Sequence, residues 1–492
     1  MKSRAQSAAI SPATASGLIR VARNSFFLLS MSLAIRLLGV LLVAKIGRDL
    51  GEAGLGRYTF VLSFVFVAEV FMDMGISSRA IRTFAREKEA IPRMFLNVLA
   101  AKAFLFVVAF ASCAGLLVLL RDDRETILAG CAFLAGMGLF SLGTYVRVHF
   151  DSVQRMEFQA ALEVLRQAIV VFFSLWALQK GRGLIALGVI FAAAAGLQLA
   201  LWLTLYAVYF PRPRMEIDWK ACAGLVREAL PFAGICLVGA LFTRLDYLAL
   251  NILAGDRETG LLSGAMAIIT VLIYLCSALQ NSIFPVFSTF PKMSGAEALG
   301  VYRRVQTAAL ALSAPMAFGL SVLAPQILAL LFKEKFASSS PLLVFLSWGL
   351  VLYFLASTFN TALRAVDKEA VSLRLMVWAC AANLALDLAL IPFFGAKGAV
   401  AGNLLTKILW TVLSYRALKA LFPRLAFARD AARILCAAAI MAFPVYWFRD
   451  RSLLLVVPGG ALVYIVSLLA LRALTWQEAK ALLAGSLSRT QR

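Results

Sequence analysis

Residues 35–47 read IRLLGVLLVAKIG, and residues 243–255 read TRLDYLALNILAG. Each is an apolar helical run with an arginine near its start, Arg36 or Arg244, and a glycine eleven residues later, Gly47 or Gly255. At the same offset of 208, Gly56 falls on Gly264 and Asp73 on Asn281. An arginine within hydrocarbon is costly, so a buried arginine in each copy points to a polar interior rather than a lipid-facing surface. Outward from this pair the match continues through six apolar segments in each half. The offset drifts to 213 where Arg155 meets Lys368 and to 215 where Gly183 meets Gly398, as loop insertions would produce.

The chain of 492 residues is 62% hydrophobic and only 15% charged. Its mean hydropathy is +0.86. That balance excludes a soluble globular domain and predicts an all-α polytopic membrane protein. A spanning helix needs about 20 apolar residues. About fourteen candidates open near Ser25, Tyr58, Met94, Thr126, Phe158, Leu184, Ala229, Gly260, Val305, Pro341, Val371, Gly398, Ile434 and Leu453. The predicted organisation is a disordered tail (1–20), a first lobe (21–210), a linker (211–228), a second lobe (229–420), two extra helices (431–473) and a second tail (474–492). Six helices per lobe is an even number, so both copies enter from the same side, and the pseudo-two-fold axis of this parallel repeat runs along the membrane normal.

About thirty of the 48 lysines and arginines fall on the side of the N-terminus and about a dozen on the other, which by the positive-inside rule puts both termini in the cytoplasm. The net charge of +22 then reads as a basic inner face against anionic membrane lipid, with no nucleic acid implied. Seven cysteines are scattered singly without CxxC spacing, so neither a disulfide frame nor a metal site is indicated. No P-loop or nucleophile elbow occurs, and no catalytic residue is assigned.

The ordered motifs Asn24, Arg36-LLG, Gly47-RDLGEAGLGRYTFVLSF, Asp73-MG and Arg79 run through the first lobe. LPFAG from Leu230, Asp246, Gly255, FP at Phe284, Asn360-TALRA and Asn383-LALDLALIPFFGAKGAVAGNLLT follow in the second. In this order the chain resembles the Wzx-like polysaccharide transporter family of the multidrug/oligosaccharidyl-lipid/polysaccharide exporter superfamily. The resemblance implies a V-shaped cavity between two bundles and alternating access. It implies an undecaprenyl diphosphate-linked oligosaccharide as cargo, flipped across the bacterial cytoplasmic membrane for exopolysaccharide, O-antigen or capsule synthesis. No cofactor is expected beyond possible H+ or Na+ coupling, and a polysaccharide polymerase is a candidate partner. A lipid II flippase, a cation-coupled drug exporter and a membrane glycosyltransferase or polymerase are the alternatives. Drug exporters of cationic molecules favour acids in the cavity, and the enzymes need a sizeable loop that is lacking here.

The polar residues within spans sort by helical geometry. Arg36 lies about 16 Å of rise into its helix, near mid-bilayer, with no acid three or four residues away. A diphosphate contact or an ion pair between lobes satisfies it. Asp246 lies about 200° around the helix from Arg244, so one of the two faces the cavity and the other packing. Lys407 is a third cationic candidate, with pairing to Asp387 as the alternative. Asn281 and Asn360 are candidates for sugar hydroxyls, and so is Asn251, against ordinary interhelical hydrogen bonds. Glu69 and Asp73, four apart, could hold a coupling ion together with Asp387, or Asp73 and Glu69 could meet Arg79 or Arg82. Glu163 and Arg166 read as a structural pair, and Lys102 and Lys45 as snorkelling side chains. The single histidine, His149, excludes a histidine relay.

Overall fold

The computed structural model describes residues 12–77, 91–152, 155–210, 218–287, 295–421 and 428–471, with positions 289 and 293. Among these, no strand occurs. The helices are α1 (Pro12–Asp73), α2 (Ile91–Leu120), α3 (Arg124–Ser152), α4 (Met156–Gln179), α5 (Leu184–Tyr209) and α6 (Trp219–Phe287). They are followed by α7 (Gly295–Phe332), a 3₁₀ turn (Lys333–Ser339), α8 (Ser340–Ala365), α9 (Glu369–Phe394), α10 (Ala396–Leu421), α11 (Ala428–Trp447) and α12 (Leu453–Ala470). Among the described residues, ten helical stretches are long and apolar enough to cross a membrane, and three of them, Ala34–Asp73, Phe232–Ser277 and Glu297–Ala365, hold two segments each.

Two helices are bent sharply, and glycine makes each bend possible. Gly51 in α1 has φ 74° and Gly255 in α6 has φ 86°, a left-handed region that side chains with a Cβ avoid. Each helix therefore consists of two limbs meeting at what we call the turn end of the bundle. α1 and α6 make the most extensive contact in the protein, and they do so reciprocally. A Cβ on Gly56 would lie 1.7 Å from the Asp256 carbonyl oxygen, and one on Gly260 would lie 1.8 Å from that of Glu52. Gly56 and Gly260 thus allow the two backbones to touch.

That reciprocity fixes the register of the repeat. Glu52 corresponds to Asp256, Gly56 to Gly260, and the kinks Gly51 and Gly255 to one another, an offset of 204. The offset of 208 expected from the sequence is one helical turn too long. Gly47 is not the partner of Gly255; its Cβ position meets the ring of Phe332 at 2.6 Å. A four-residue slip rotates a helix by only about 40°, so two leucine-rich runs match nearly as well in either register.

Other boundaries also move. α1 begins at Pro12, inside the stretch expected to be a tail, while residues 1–11 and the second tail lie outside the described residues. A proline at the first helical position is pre-organised for helix and lacks only an N–H with no helical acceptor. α6 begins at Trp219, ten residues before the expected second lobe. Its opening turns bury Cys222, Leu225 and Ala229, at three- and four-residue spacing, in a cluster with Phe95 and Val98 of α2. The Asp218 N–H donates to the Asn97 side chain at 2.8 Å. α11 and α12 stand outside the repeat against α7, held by Tyr464 donating to the Ala311 carbonyl at 2.8 Å and by Arg303–Asp430 at 2.6 Å.

Candidate functional site

Between the limbs of α1 and α6 lies a cavity of about 390 Å³, lined also by α3, α4 and α5. Near the turn end it is closed by hydroxyls: Thr59 donates to Ser263 at 2.7 Å, with Tyr58 and Tyr247 alongside. Beyond them the two lobes are sealed by charge. Arg121, between α2 and α3, reaches across to Asp256 at 2.6 Å and to the Asn251 side-chain oxygen, while Arg257 pairs with Glu52 at 2.7 Å. On the opposite seam Phe332 and Phe336, both fully buried, fill the space beside Gly47 and Gly264. Arg48 holds that plug by donating to the Leu331 carbonyl at 2.6 Å. Asn251 also donates to Asp256 at 2.9 Å, so it belongs to the seal and not to a sugar-binding surface.

Arg36 and Arg244 both line the cavity. Neither has a carboxylate within ion-pair distance among the described residues, which separates them from Arg121 and Arg257 of the seal. Each rests on an aromatic ring instead: Arg36 over Tyr274 at 4.0 Å, and Arg244 over Phe66 at 4.6 Å. The Arg244 Nε is buried without a hydrogen-bond partner. Asp246 turns the other way, into the second lobe, as the angular separation of the two residues requires. Arg166 of α4 also faces the cavity, with Gln167 and Ser174. It keeps its expected bond to Glu163 at 3.0 Å, and that pairing concealed its place in the lining.

The remaining candidates separate from the cavity. Asn360 is buried and fully used inside its lobe: it donates to Ala356 and Ser414, both at 2.9 Å, and accepts from Ser372 at 2.9 Å. The side chain of Asn281 lies outside the described residues. Lys407 is buried against Gly349 in the second lobe and does not line the cavity.

Two buried acidic clusters flank the cavity. In the first lobe Asp73 accepts from Lys102 at 2.5 Å, and Lys102 also donates to Ser77 at 2.9 Å. Lys102 is fully buried and so does not snorkel: its ammonium is committed to Asp73. Glu69 is half-buried one turn away, and Arg79 and Arg82 lie outside the described residues. In the second lobe Asn383 bridges Asp246 at 2.5 Å and Asp387 at 3.0 Å, and Asn403 donates to the other Asp246 oxygen at 2.6 Å. One oxygen of Asp387 and that of Asn403 are buried there without partners. Two carboxylates, two amide oxygens and unfilled acceptor capacity suit a proton or a small monovalent cation. The signal for Asp246 was in the sequence, in its spacing from Arg244, but its partners come from α9 and α10, more than 130 residues away.

Known proteins resemble the chain in sequence and in fold. Residues 21–291 match the family described as polysaccharide biosynthesis proteins. A probable low-salt glycan biosynthesis flippase, Agl15 of Haloferax volcanii, is 23% identical over 176 residues, spanning 36% of this chain and 37% of that relative. Among solved structures, the lipid II flippase MurJ in an inward closed conformation superposes with a TM-score of 0.75 at 16% identity, covering 90% of this chain and 98% of its own. An inward-facing multidrug resistance MATE transporter of the MOP superfamily gives 0.60 at 14% identity, over 82% and 100%. At these identities the two structures share the fold.

Proposed function

The chain belongs to the polysaccharide biosynthesis protein family, and from that premise we propose that it is a multi-pass membrane transporter of the MOP superfamily that flips a polyprenyl diphosphate-linked oligosaccharide. The cargo would enter the cavity from the cytoplasmic side of a bacterial inner membrane, with both termini cytoplasmic and the turn end facing outward. The observation that carries this reading is a pair of guanidiniums, Arg36 and Arg244, with no carboxylate within ion-pair distance among the described residues, inside an apolar bundle that is sealed at one end. A diphosphate crossing hydrocarbon unaided meets a desolvation cost of tens of kcal/mol in the idealised limit. Two uncompensated arginines in a wet cavity offset that cost, and guanidinium geometry favours bidentate phosphate contact.

The prenyl chain stays in lipid while the sugars occupy the hydroxyl-lined end of the cavity. A cationic drug would meet like charge in this space, which disfavours the exporter reading. A lipid II cargo shares the diphosphate and remains the second reading. Asp246, Asp387, Asn383 and Asn403 are the best-built candidates for coupling to H+ or Na+, with Glu69 beside the Asp73–Lys102 pair as the weaker one.

The test is transport by protein reconstituted in vesicles. A fluorescent lipid-linked oligosaccharide should become accessible to a quencher on the far leaflet. Arg36→Ala and Arg244→Ala should abolish this, and Arg36→Lys should retain part of it. Full transport by both alanine variants removes the arginines from the mechanism. Rescue of lipid II flipping in place of oligosaccharide flipping would select the second reading.

A further inference from the structure

The supports of Arg36 and Arg244 come from the opposite lobe. Arg36 is on the first limb of α1, and Tyr274, beneath it, is on the second limb of α6. Arg244 is on the first limb of α6, and Phe66 is on the second limb of α1. One stack therefore crosses each of the two seams between lobes. The construction is the same at both, displaced along the bundle. Arg36 lies fifteen residues from its kink and Tyr274 nineteen, whereas Arg244 lies eleven from its kink and Phe66 fifteen. In each stack the ring is four residues farther from the turn end than its arginine. The two charges are thereby offset by one helical turn, about 6 Å along the axis. A diphosphate aligned with the bundle presents its two phosphoryl groups in that succession.

A ring and a carboxylate support a guanidinium differently. A carboxylate takes an N–H edge and offsets the charge, as Glu163 accepts from one nitrogen of Arg166 in this same cavity, where Arg166 also lies over the Phe140 ring at 5.0 Å. A ring takes the flat face, leaving the charge and the in-plane N–H donors for an oxyanion. We propose that Tyr274 and Phe66 are positioning residues for a diphosphate site, each lending one lobe's ring to the other lobe's arginine, so that the site is complete only while the lobes are apposed along both seams. This rests on the diphosphate reading of the cavity and adds how the site is switched. Apposition orders both arginines and gives high affinity. Separation or rotation of the lobes strips each arginine of its platform, the guanidinium regains rotamer freedom, and affinity falls where cargo must leave. Ordering a long side chain on binding costs about 0.5–1.5 kcal/mol, which corresponds to roughly two- to tenfold in affinity per arginine.

The experiment is calorimetric titration of the full chain in detergent with inorganic pyrophosphate and, separately, with farnesyl diphosphate. Tyr274→Leu and Phe66→Leu should each weaken both ligands by roughly two- to tenfold. Tyr274→Phe and Phe66→Tyr, which keep a π face, should bind as the parent does. A purely structural role would lower the thermal midpoint without this separation between aromatic and aliphatic replacements. Should a leucine variant fail to fold, methionine at the same position offers a longer, flexible apolar side chain that also lacks the ring. Leucine or methionine variants that bind like the parent overturn the proposal alone, and so does equal weakening by Tyr274→Phe. A parent that binds neither ligand overturns the diphosphate reading itself. Tighter binding of farnesyl diphosphate than pyrophosphate is expected, and equal binding would contradict a lipid-linked cargo.

Discussion

Removing the carboxylate of Asp256 should open the turn end. Asp256 accepts from Arg121 at 2.6 Å and from Asn251 at 2.9 Å, and Arg57 stands at 4.0 Å. Its side chain is 23% exposed and that of Arg121 16%, so the pair is shielded enough to retain the value of a charged hydrogen bond, about 1.5–3 kcal/mol. The neighbouring Arg257–Glu52 pair, with Arg257 70% exposed, is screened by solvent and holds the seal less firmly. In Asp256→Ala, Arg121 and Arg57, both on the first lobe, lose the anion that the second lobe offers across the seam, and Arg57 keeps only Glu125 at 3.1 Å. The balance between sealed and open turn ends should shift by roughly 10- to 150-fold. A cysteine placed at Ser263, just beneath the seal, reports this in a background freed of the seven native cysteines. A membrane-impermeant maleimide applied from the turn-end side should label it slowly in the parent and at least tenfold faster in Asp256→Ala. Equal labelling rates would show that the Gly56–Gly260 contact and the Phe332–Phe336 plug close the protein without the ion pairs.

Gly56→Ala places a methyl group where the Asp256 carbonyl oxygen stands, so it should destabilise the protein by about 1–3 kcal/mol, seen as a lowered thermal midpoint in detergent. Gly115→Ala, with open space around it, should leave the midpoint unchanged or raised. Lys102→Met strands Asp73 inside the bundle and should cost about 3–5 kcal/mol, while adding Asp73→Asn should recover most of that loss in the same melting experiment. Asp246→Asn should abolish any sodium or proton dependence of transport while pyrophosphate binding persists. Loss of both together would place Asp246 in the anion site instead.

What the sequence discloses here depends on whether a residue's partner is local. The spans and lobes are legible because apolar runs and short polar separators are properties of neighbouring residues. Arg36 and Arg244 are legible for a related reason: an arginine with no acid on its own helical face stands out in any apolar helix, and both do line the cavity. Lys407 and Asn360 carry an equally strong local signal and lie elsewhere, because α8, α9 and α10 supply their surroundings. The seal shows the converse. Arg121 and Asp256 look like ordinary loop charges until folding brings residues 135 positions apart to 2.6 Å.

The error in register is the most telling case. Aligning Arg36 with Arg244 forces an offset of 208, since a buried arginine is the rarest feature in either run. The backbones align at 204, where Gly56 and Gly260 interlock. Both registers are consistent with one another once the rings are included. The arginines are not equivalent under the two-fold axis; each is matched instead to a ring four residues farther from the turn end. A strictly symmetric protein would hold both charges at one depth, facing each other across the axis and repelling. Displacing one stack by a turn keeps Arg36 and Arg244, neither with a carboxylate within ion-pair distance among the described residues, at different heights in a single cavity, an arrangement that suits the elongated diphosphate proposed as cargo.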